Sequence, residues 1–345
     1  MPHISAENLT DLSTRIFVAA GAQQPVAERV AVALVKSDML GVHSHGTNLL
    51  PQYVIDIAAG GIVPDEQPFI VQQNLATALV DGRHGFGHVT GEYAARLAIE
   101  KAEAQGAGIV SCVNTNHIGR IGEYPEMMVE RGLIGFCIVN AGPIMTPFGG
   151  LARRIGTNPI AFAVPIEGDH PLLVDFATTG AAGNKVLVAQ HKGVQIPKGW
   201  ILDNKGADST DPADLFNGGY LLPFGEHKGY GLGVMVEILA GLLSGSGSAT
   251  YGSYHGGNGV FMLALSPEFF RPPEEFLHDV RLLVDALRAA PPRKGVERVM
   301  VPGDPEAIKT AQYQRDGIEL DAGTWQTIVD AATSVGIKAE GSLSG

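Results

Sequence analysis

The sequence is poor in charge, aromatic rings and cysteine. Only 17% of its 345 residues are charged and 7% are aromatic. Its two cysteines form no Cys-x-x-Cys pair, which argues against a disulfide framework and against redox or metal roles for them. Cys112 and Cys137 lie in the apolar runs GIVSCVN and GFCIVN, the expected setting of buried, reduced thiols. Basic residues are scarce: 24 Lys and Arg against 36 Asp and Glu give a net charge of −12. Such a surface repels phosphate backbones and anionic lipids, so neither nucleic acid nor a membrane is an expected partner. The uncharged stretch Gly132 to Ala152 is broken by Asn140, Pro143 and Pro147 and cannot span a bilayer. The short apolar run Ile16 to Ala22 follows Glu7, Asp11 and Arg15, which is not the pattern of a signal peptide. The expected location is the cytoplasm.

What is plentiful is apolar residues, at 45%, and glycine, with 45 residues. The length suits about two domains around a large core. Glycine supplies the tight turns and close backbone approaches that ligand-binding α/β enzymes need.

The first segment reads as helical. Pro25 suits a first turn, Val26, Val30 and Leu34 follow at helical spacing, and Gly41 is the predicted stop. From about Ala76 the texture changes to the β-rich runs TALVDG, GIVSCVN, LIGFCIVN, IAFAVP and LLVDFATT. Between the first two lies the amphipathic helix EYAARLAIEKAEAQG, ending at Gly106. A nearly all-apolar helix from Tyr230 to Leu243, enclosing Glu237, is predicted to be a buried core helix. Phe276, Val280, Leu283 and Leu287 form a helical stripe closed by Pro291-Pro292, and a last helix carries Trp325, Ile328 and Ala332. The expected organisation is a helical segment over 1–75, a mixed-sheet domain over 76–274, and a helical segment over 275–345 that packs with the first.

Polar residues collect where these runs end. Gly85, Gly87 and Gly91 imitate a dinucleotide fingerprint, but no acidic residue cleanly ends a second strand downstream, which favours an ordinary turn. In GVHSHGTNLLPQY, His43 and His45 flank Ser44 just past a helix, where an imidazole can transfer protons. A structural loop or a metal pair are the alternatives there, although no third ligand follows at a recognisable spacing. In NTNHIGRIGEY, Asn114, Asn116 and His117 read as a site rim. Arg120 offers a fixed charge and a fork suited to a carboxylate, or else is a solvated loop residue. His227 and Lys228 in PFGEHKGYG open a helix and could seat an anion, without the Walker A order. Similar punctuation recurs at Gly156–Pro159, Asp175–Thr179 and Val301–Glu306, as expected of one ligand-lined crevice.

Taken in order, DMLGVHSHG, NTNHIGRIG, GTNPIAFAVP, LLVDFATT, PKGWILDNKG, LLPFGEHKGYGLG and VPGDPE resemble the malate/L-lactate dehydrogenase-like family of NAD(P)-dependent oxidoreductases. The likeness covers nearly the whole chain and is nearest to the hydroxycarboxylate dehydrogenases. It implies an α/β (α+β-like) fold that is not a Rossmann fold. A mostly antiparallel sheet domain would bind NAD(H) or NADP(H), beside a helical domain built from both termini, in a homodimer. It also implies that Gly85 to Gly91 hold no pyrophosphate. His45 takes the family's acid/base position, with His117 a second candidate. Substrate contacts fall on Ser44, Arg120, Thr157 and Asn158. Cofactor contacts fall on Gly119, Arg120 and Ile121, and on the run Leu173, Val174, Asp175, Phe176 and Ala177. They continue on His227, Lys228 and Asn258, and on Gly303, Asp304, Pro305 and Glu306. No metal is implied, and Asp203 lies in a family motif without an assignable role.

One departure stands out. Many relatives read SHGxxR, whereas this chain has Leu49 at the last position. A buried 2-oxo acid still needs a cation for its carboxylate. Arg120, where many relatives have a small residue, is the expected substitute, with Leu49 an apolar wall suited to larger or aromatic acids. The implied activity is reduction of 2-oxo acids, or oxidation of 2-hydroxy acids such as malate or lactate. The alternatives are a cyclic imine carboxylate reductase, a metal-dependent hydrolase or lyase on His43, His45 and His117, and a non-catalytic dinucleotide-binding protein.

Overall fold

A computed structural model describes residues 3–191, 193–252, 254 and 256–339. The chain opens with β1 (His3–Ile4) and α1 (Ala6–Ala19), whose N-terminus is capped by the Ser5 hydroxyl accepting from Asn8 N–H at 3.1 Å. In α2 (Gln24–Met39), Pro25 occupies the first turn and Val26, Val30 and Leu34 face inward. The helix ends at Met39, two residues before Gly41, whose φ of 76° is left-handed. Two short 3₁₀ turns, His43–His45 and Thr47–Leu49, then lead into α3 (Leu50–Ala58).

The central sheet begins with β2 (Phe69–Gln73) and β3 (Thr77–Asp81), then crosses through α4 (Gly87–Gln105) to β4 (Ala107–Val113). Next come α5 (Glu123–Val129), β5 (Ile134–Val139), β6 (Ile160–Val164), β7 (Leu172–Phe176) and α6 (Gly183–His191). A small sheet follows, made of β8 (Ile201–Leu202), β9 (Asp208–Ser209) and β10 (Tyr220–Leu221), with α7 (Ala213–Phe216) between β9 and β10. After α8 (His227–Val236), β11 (Val260–Leu265) returns to the central sheet. The chain closes with α9 (Pro273–Arg288), α10 (Asp304–Asp316), β12 (Ile318–Glu319) and α11 (Ala322–Ser334).

The seven central strands run in the order β2-β3-β4-β11-β5-β6-β7, and only β3 and β4 are parallel. This is a mixed, mostly antiparallel sheet, unlike the parallel sheet of a doubly wound dinucleotide fold. β11 enters between β4 and β5, so that Met262 faces both Val110 and Cys137. Helices α4 and α5 cover one face through Ala94, Ala98 and Met128, and both cysteines lie in this core as free thiols. Alanine and glycine permit the close fit: a Cβ on Gly108 would collide with the carbonyl of Ala98.

The two chain ends share one core. β1 pairs antiparallel with β12, and Leu12, Phe17 and Leu34 pack with Tyr313, Ile318 and Ile328. Helix α9 behaves differently, because its inward residue is Val284, packed on Ile166 and Val301 beside β7. Leu283 and Leu287 of the expected stripe are 56% and 45% exposed, since a helix lying on a sheet edge has only a narrow contact line.

The apolar helix also differs from expectation. It starts at His227 and passes into a π-helical turn over Glu237–Leu242. Gly229, Gly233, Val236 and Ala240 face the protein, whereas Met235 and Leu243 are 49% and 61% exposed. It is thus buried along one small-residue face only. No helix among the described residues is long and apolar enough to cross a membrane.

The Gly108 contact sets a test of this packing. Gly108→Ala is expected to destabilise the protein by about 1–3 kcal/mol, seen as a lower urea midpoint at unchanged slope.

Candidate active site

A cleft of about 710 Å³ opens where the turn after α2 meets the loop after β4, the end of β7 and the start of α10. Asp38 builds the turn. Its buried carboxylate accepts from Thr47 N–H at 2.8 Å and Thr47 Oγ1 at 2.7 Å, and pairs with His43 Nδ1 at 2.8 Å. Gly46 crosses so close above that any Cβ there would collide with the carboxylate. The knuckle turns His45 toward the cleft, with its Nδ1 engaged by Ser44 Oγ at 3.0 Å.

Behind His45 lies His117, the rings stacked at 5.7 Å with 21° between planes. His117 Nδ1 is 2.6 Å from the hydroxyl of Tyr53. Burial drives His45 from an ordinary pKa of 6.5 to about 3, helped by the charges of His117 and Arg120. Burial alone brings His117 to about 4, and burial together with the nearby Asp56 charge raises the Tyr53 phenol above its usual range. At neutral pH the site therefore holds two neutral imidazoles in series.

Arg120 is 4% exposed. Its Nη2 donates to Glu126 at 2.7 Å, and the same carboxylate oxygen takes Lys36 Nζ at 2.8 Å. The guanidinium's Nε and Nη1 are buried without a partner. Leaving such a donor unmet costs about 1–3 kcal/mol, more for a charged group. Opposite lies Asp175, which accepts from Gly122 N–H at 2.9 Å. Although the residue as a whole is exposed, loss of water around its carboxyl in the cleft raises its pKa to about 6, against the lowering influence of Arg120. Glu306 Oε2 is a further buried oxygen without a donor. The cleft is thus lined by a buried cation with two unpartnered nitrogens, a proton-accepting imidazole and two carboxylates.

Many of the residues singled out in the sequence meet here. Ser44, His45, Arg120, Ile121, Thr157, Leu173, Asp175, Phe176, Ala177, Pro305 and Glu306 all line the cleft. Gly119, at φ 75°, passes against the His88 ring just behind it. Gly303 begins α10 at φ 101°, where a Cβ would sit 2.6 Å from the Pro171 carbonyl.

Others are not brought in. Val174 alternates away from Leu173 and Asp175 along β7. Asn158 donates to Gly233 O at 2.9 Å and to Glu237 at 3.0 Å, and accepts from Ala141 N–H. Asn258 accepts from Ile118 N–H and donates to Asn140 O. Both side chains are spent inside the fold. Asp304 is held by Arg288, His170 and Val301 N–H. His227 and Lys228 are exposed beside a second cavity of about 950 Å³, walled by Phe148, Trp200 and Phe224, that meets the cleft at Gly180. Leu49 packs on the N-terminal core and forms no wall of the cleft, because its 3₁₀ turn already faces the helices. His43 turns to Asp38 and Tyr313, so the three histidines do not converge. Among the described residues no three His, Cys, Asp or Glu side chains stand where they could hold a metal ion.

Sequence reasoning missed Asp38, Tyr53, Glu126, Lys36 and Lys309. All are helix residues whose roles arise from packing, Lys309 lining the cleft from α10. Asp38 and Tyr53 stood inside the motifs DMLGVHSHG and GVHSHGTNLLPQY, and Lys309 at helical spacing from Pro305 and Glu306.

The partly buried imidazoles give a sign to the pH dependence of stability. An unfolded chain binds protons on His45 and His117 below about 6.5, whereas the folded chain binds them only near 3 and 4. Stability conferred by the neutral rings is therefore lost as pH falls through that window. Asp175, raised from 3.8 to about 6, opposes this, because the folded state binds its proton first. His45→Gln should flatten the loss of urea midpoint on acidification from neutrality. An unchanged slope would mean that His45 titrates normally.

Comparison with known proteins places this geometry. Residues 4–329 match the family model described as malate/L-lactate dehydrogenase. The chain is 36% identical to the malate dehydrogenase of Pyrococcus abyssi, over 97% of this chain and 95% of that protein. It is 34% identical to hydroxycarboxylate dehydrogenase B of Escherichia coli, over 97% and 95%. The crystal structure of delta1-piperideine-2-carboxylate reductase from Pseudomonas syringae superposes with a TM-score of 0.86 at 29% identity, covering 96% of this chain and 100% of that one. With its full-length match and its mixed, non-Rossmann sheet, the chain belongs to the malate/L-lactate dehydrogenase family.

Proposed function

We propose that this protein is a nicotinamide-dependent 2-oxo acid reductase, working in reverse as a 2-hydroxy acid dehydrogenase. The observation that carries the reading is that one cleft is lined by both a neutral imidazole and an arginine, two of whose buried nitrogens have no partner. A 2-oxo acid carries a carboxylate next to the oxygen that gains or loses a proton. Its carboxylate would take Nε and Nη1 of Arg120. Its carbonyl or hydroxyl oxygen would then face His45, whose Nε2 is left for substrate because Nδ1 is held by Ser44.

In oxidation, neutral His45 accepts the hydroxyl proton; in reduction, it returns a proton to the oxygen. A carboxylate alongside raises the proton affinity of this ring toward the working range. His117, fixed by Tyr53, supports the ring from behind. Thr157 supplies a hydroxyl on the same wall.

The residues present also fit a dinucleotide. Glu306 Oε2 is a buried acceptor in want of a donor, and Asp175 stands nearby; both suit hydroxyl or amide groups. Ile121, Leu173, Phe176, Ala177 and Pro305 provide the apolar walls. A nicotinamide held by these residues would supply the hydride chemistry at the substrate carbon. Two further elements complete the proposal. The outward apolar face of α8 and the π-helical turn after it, with Leu232, Met235 and Leu243, suits a homodimer, and the free buried cysteines suit a reducing cytoplasm.

A second reading draws on the structural likeness to a piperideine carboxylate reductase. The same cation and proton donor would serve a cyclic C=N beside a carboxylate. One assay separates the two: loss of NADH or NADPH absorbance against pyruvate, oxaloacetate, 2-oxoglutarate, phenylpyruvate and a cyclic imine acid. Turnover of 2-oxo acids is expected. Turnover of the imine alone would select the second reading, and silence with cofactor bound would reject both. His45→Ala should lower kcat by about 10²–10⁴ while cofactor still binds.

A further inference from the structure

Arg120 lies between two carboxylates that could each claim it. Its Nη1 and the Asp175 Oδ2 flank Gly122, lying 2.5 and 2.8 Å from the point where a Cβ on that glycine would stand. Yet Asp175 forms no ion pair with Arg120 and takes the Gly122 N–H instead. The guanidinium is drawn the other way, to Glu126 on α5, which is itself fastened to Lys36 on α2. The two residues engaged with Glu126 come from different sides: Lys36 from the half-exposed flank of α2, Arg120 from the cleft.

We propose that Glu126 is a positioning residue: it holds Arg120 off Asp175, so that Nε and Nη1 stay available for a substrate carboxylate. Without Glu126, the nearest anion is Asp175, and pairing with it would close the carboxylate seat. The proposal rests on the reading of Arg120 as the substrate's anchor. It assigns to α5 a part in substrate selection that neither Glu126 nor Lys36 displays by touching the ligand.

The test uses the full-length enzyme and the 2-oxo acid it turns over best. Its KM is compared with the inhibition constant of the matching 2-oxo carboxamide, which has no carboxylate. NADH affinity and melting temperature are followed in parallel. Arg120→Ala should raise KM for the acid and leave the amide unmoved. Glu126→Gln should do the same, raising KM by about tenfold or more with kcat and NADH affinity little changed. If Glu126→Gln does not fold, Glu126→Asp decides. It keeps both charges, and its shorter reach should draw the guanidinium toward α5 and shift the acid alone. If Arg120→Ala raises KM but the folded Glu126 variants do not, the positioning role is wrong and the anchor stands. If the acid, amide and NADH all weaken together, Glu126 is only structural. If Arg120→Ala has no effect, the anchor reading fails and takes this inference with it.

Discussion

Arg120 has to be buried as an ion, and that requirement orders the residues around it. A guanidinium cannot shed its charge at any working pH, so its desolvation must be met by paired anions and good geometry. Glu126 provides the paired anion, and Lys36 fastens the same carboxylate oxygen from α2. Gly122 leaves room for the guanidinium to pass, and Asp175 completes the ring of charge from the other wall. His45 feels the same cation only as the smallest of three influences, after its own loss of water and the neighbouring His117, and with its pKa brought to about 3 it rests as a base.

A second buried network fixes the loops that carry these groups. Asn140, Asn158, Asn258 and Glu237 tie the end of β5, the start of β6 and the approach to β11 to the π-helical turn after α8. Asn258 also accepts from Ile118 N–H, the residue between His117 and Gly119. A buried amide network of this kind stabilises only when nearly every donor and acceptor is met. Here it is met, with Asn140 taking up Glu237, Gly247 O and Gly259 N–H. The polar interior thus supports a site that it does not enter.

The sequence made some of this legible and hid the rest for physical reasons. Helix α4 and strands β3 to β7 were readable because their apolar residues repeat with local periods. The order of the sheet was not, since the place of β11 between β4 and β5 depends on partners far away in the chain. The outward face of α8 was misread because leucines beyond one chain's own core look the same in sequence as leucines within it. At the site, His45, Arg120 and Asp175 were marked by polar residues at element ends, and the structure puts all three on one cleft. Asn158 and Asn258 carried the same mark, yet their amides close the interior. An asparagine at a strand end can serve a ligand or a backbone equally well, and only the partner decides.

The walls of the cleft come from both ends of the chain as well as from the sheet. His45 follows α2, Glu306 and Lys309 belong to α10, and Arg120 and Asp175 hang from the sheet. The first two groups are joined by β1 pairing with β12 and by the shared core of Leu34, Tyr313 and Ile328. Lys36 and Glu126 then clasp that helical unit to α5 beneath the sheet, and Arg29 with Glu123 repeats the clasp about two turns back along α2 and one along α5. The ion pairs that anchor Arg120 are therefore also the joint between helices and sheet. Loosening that joint would separate the proton-transferring imidazole from the cation it works beside, so the site's chemistry and the docking of the chain ends depend on the same contacts.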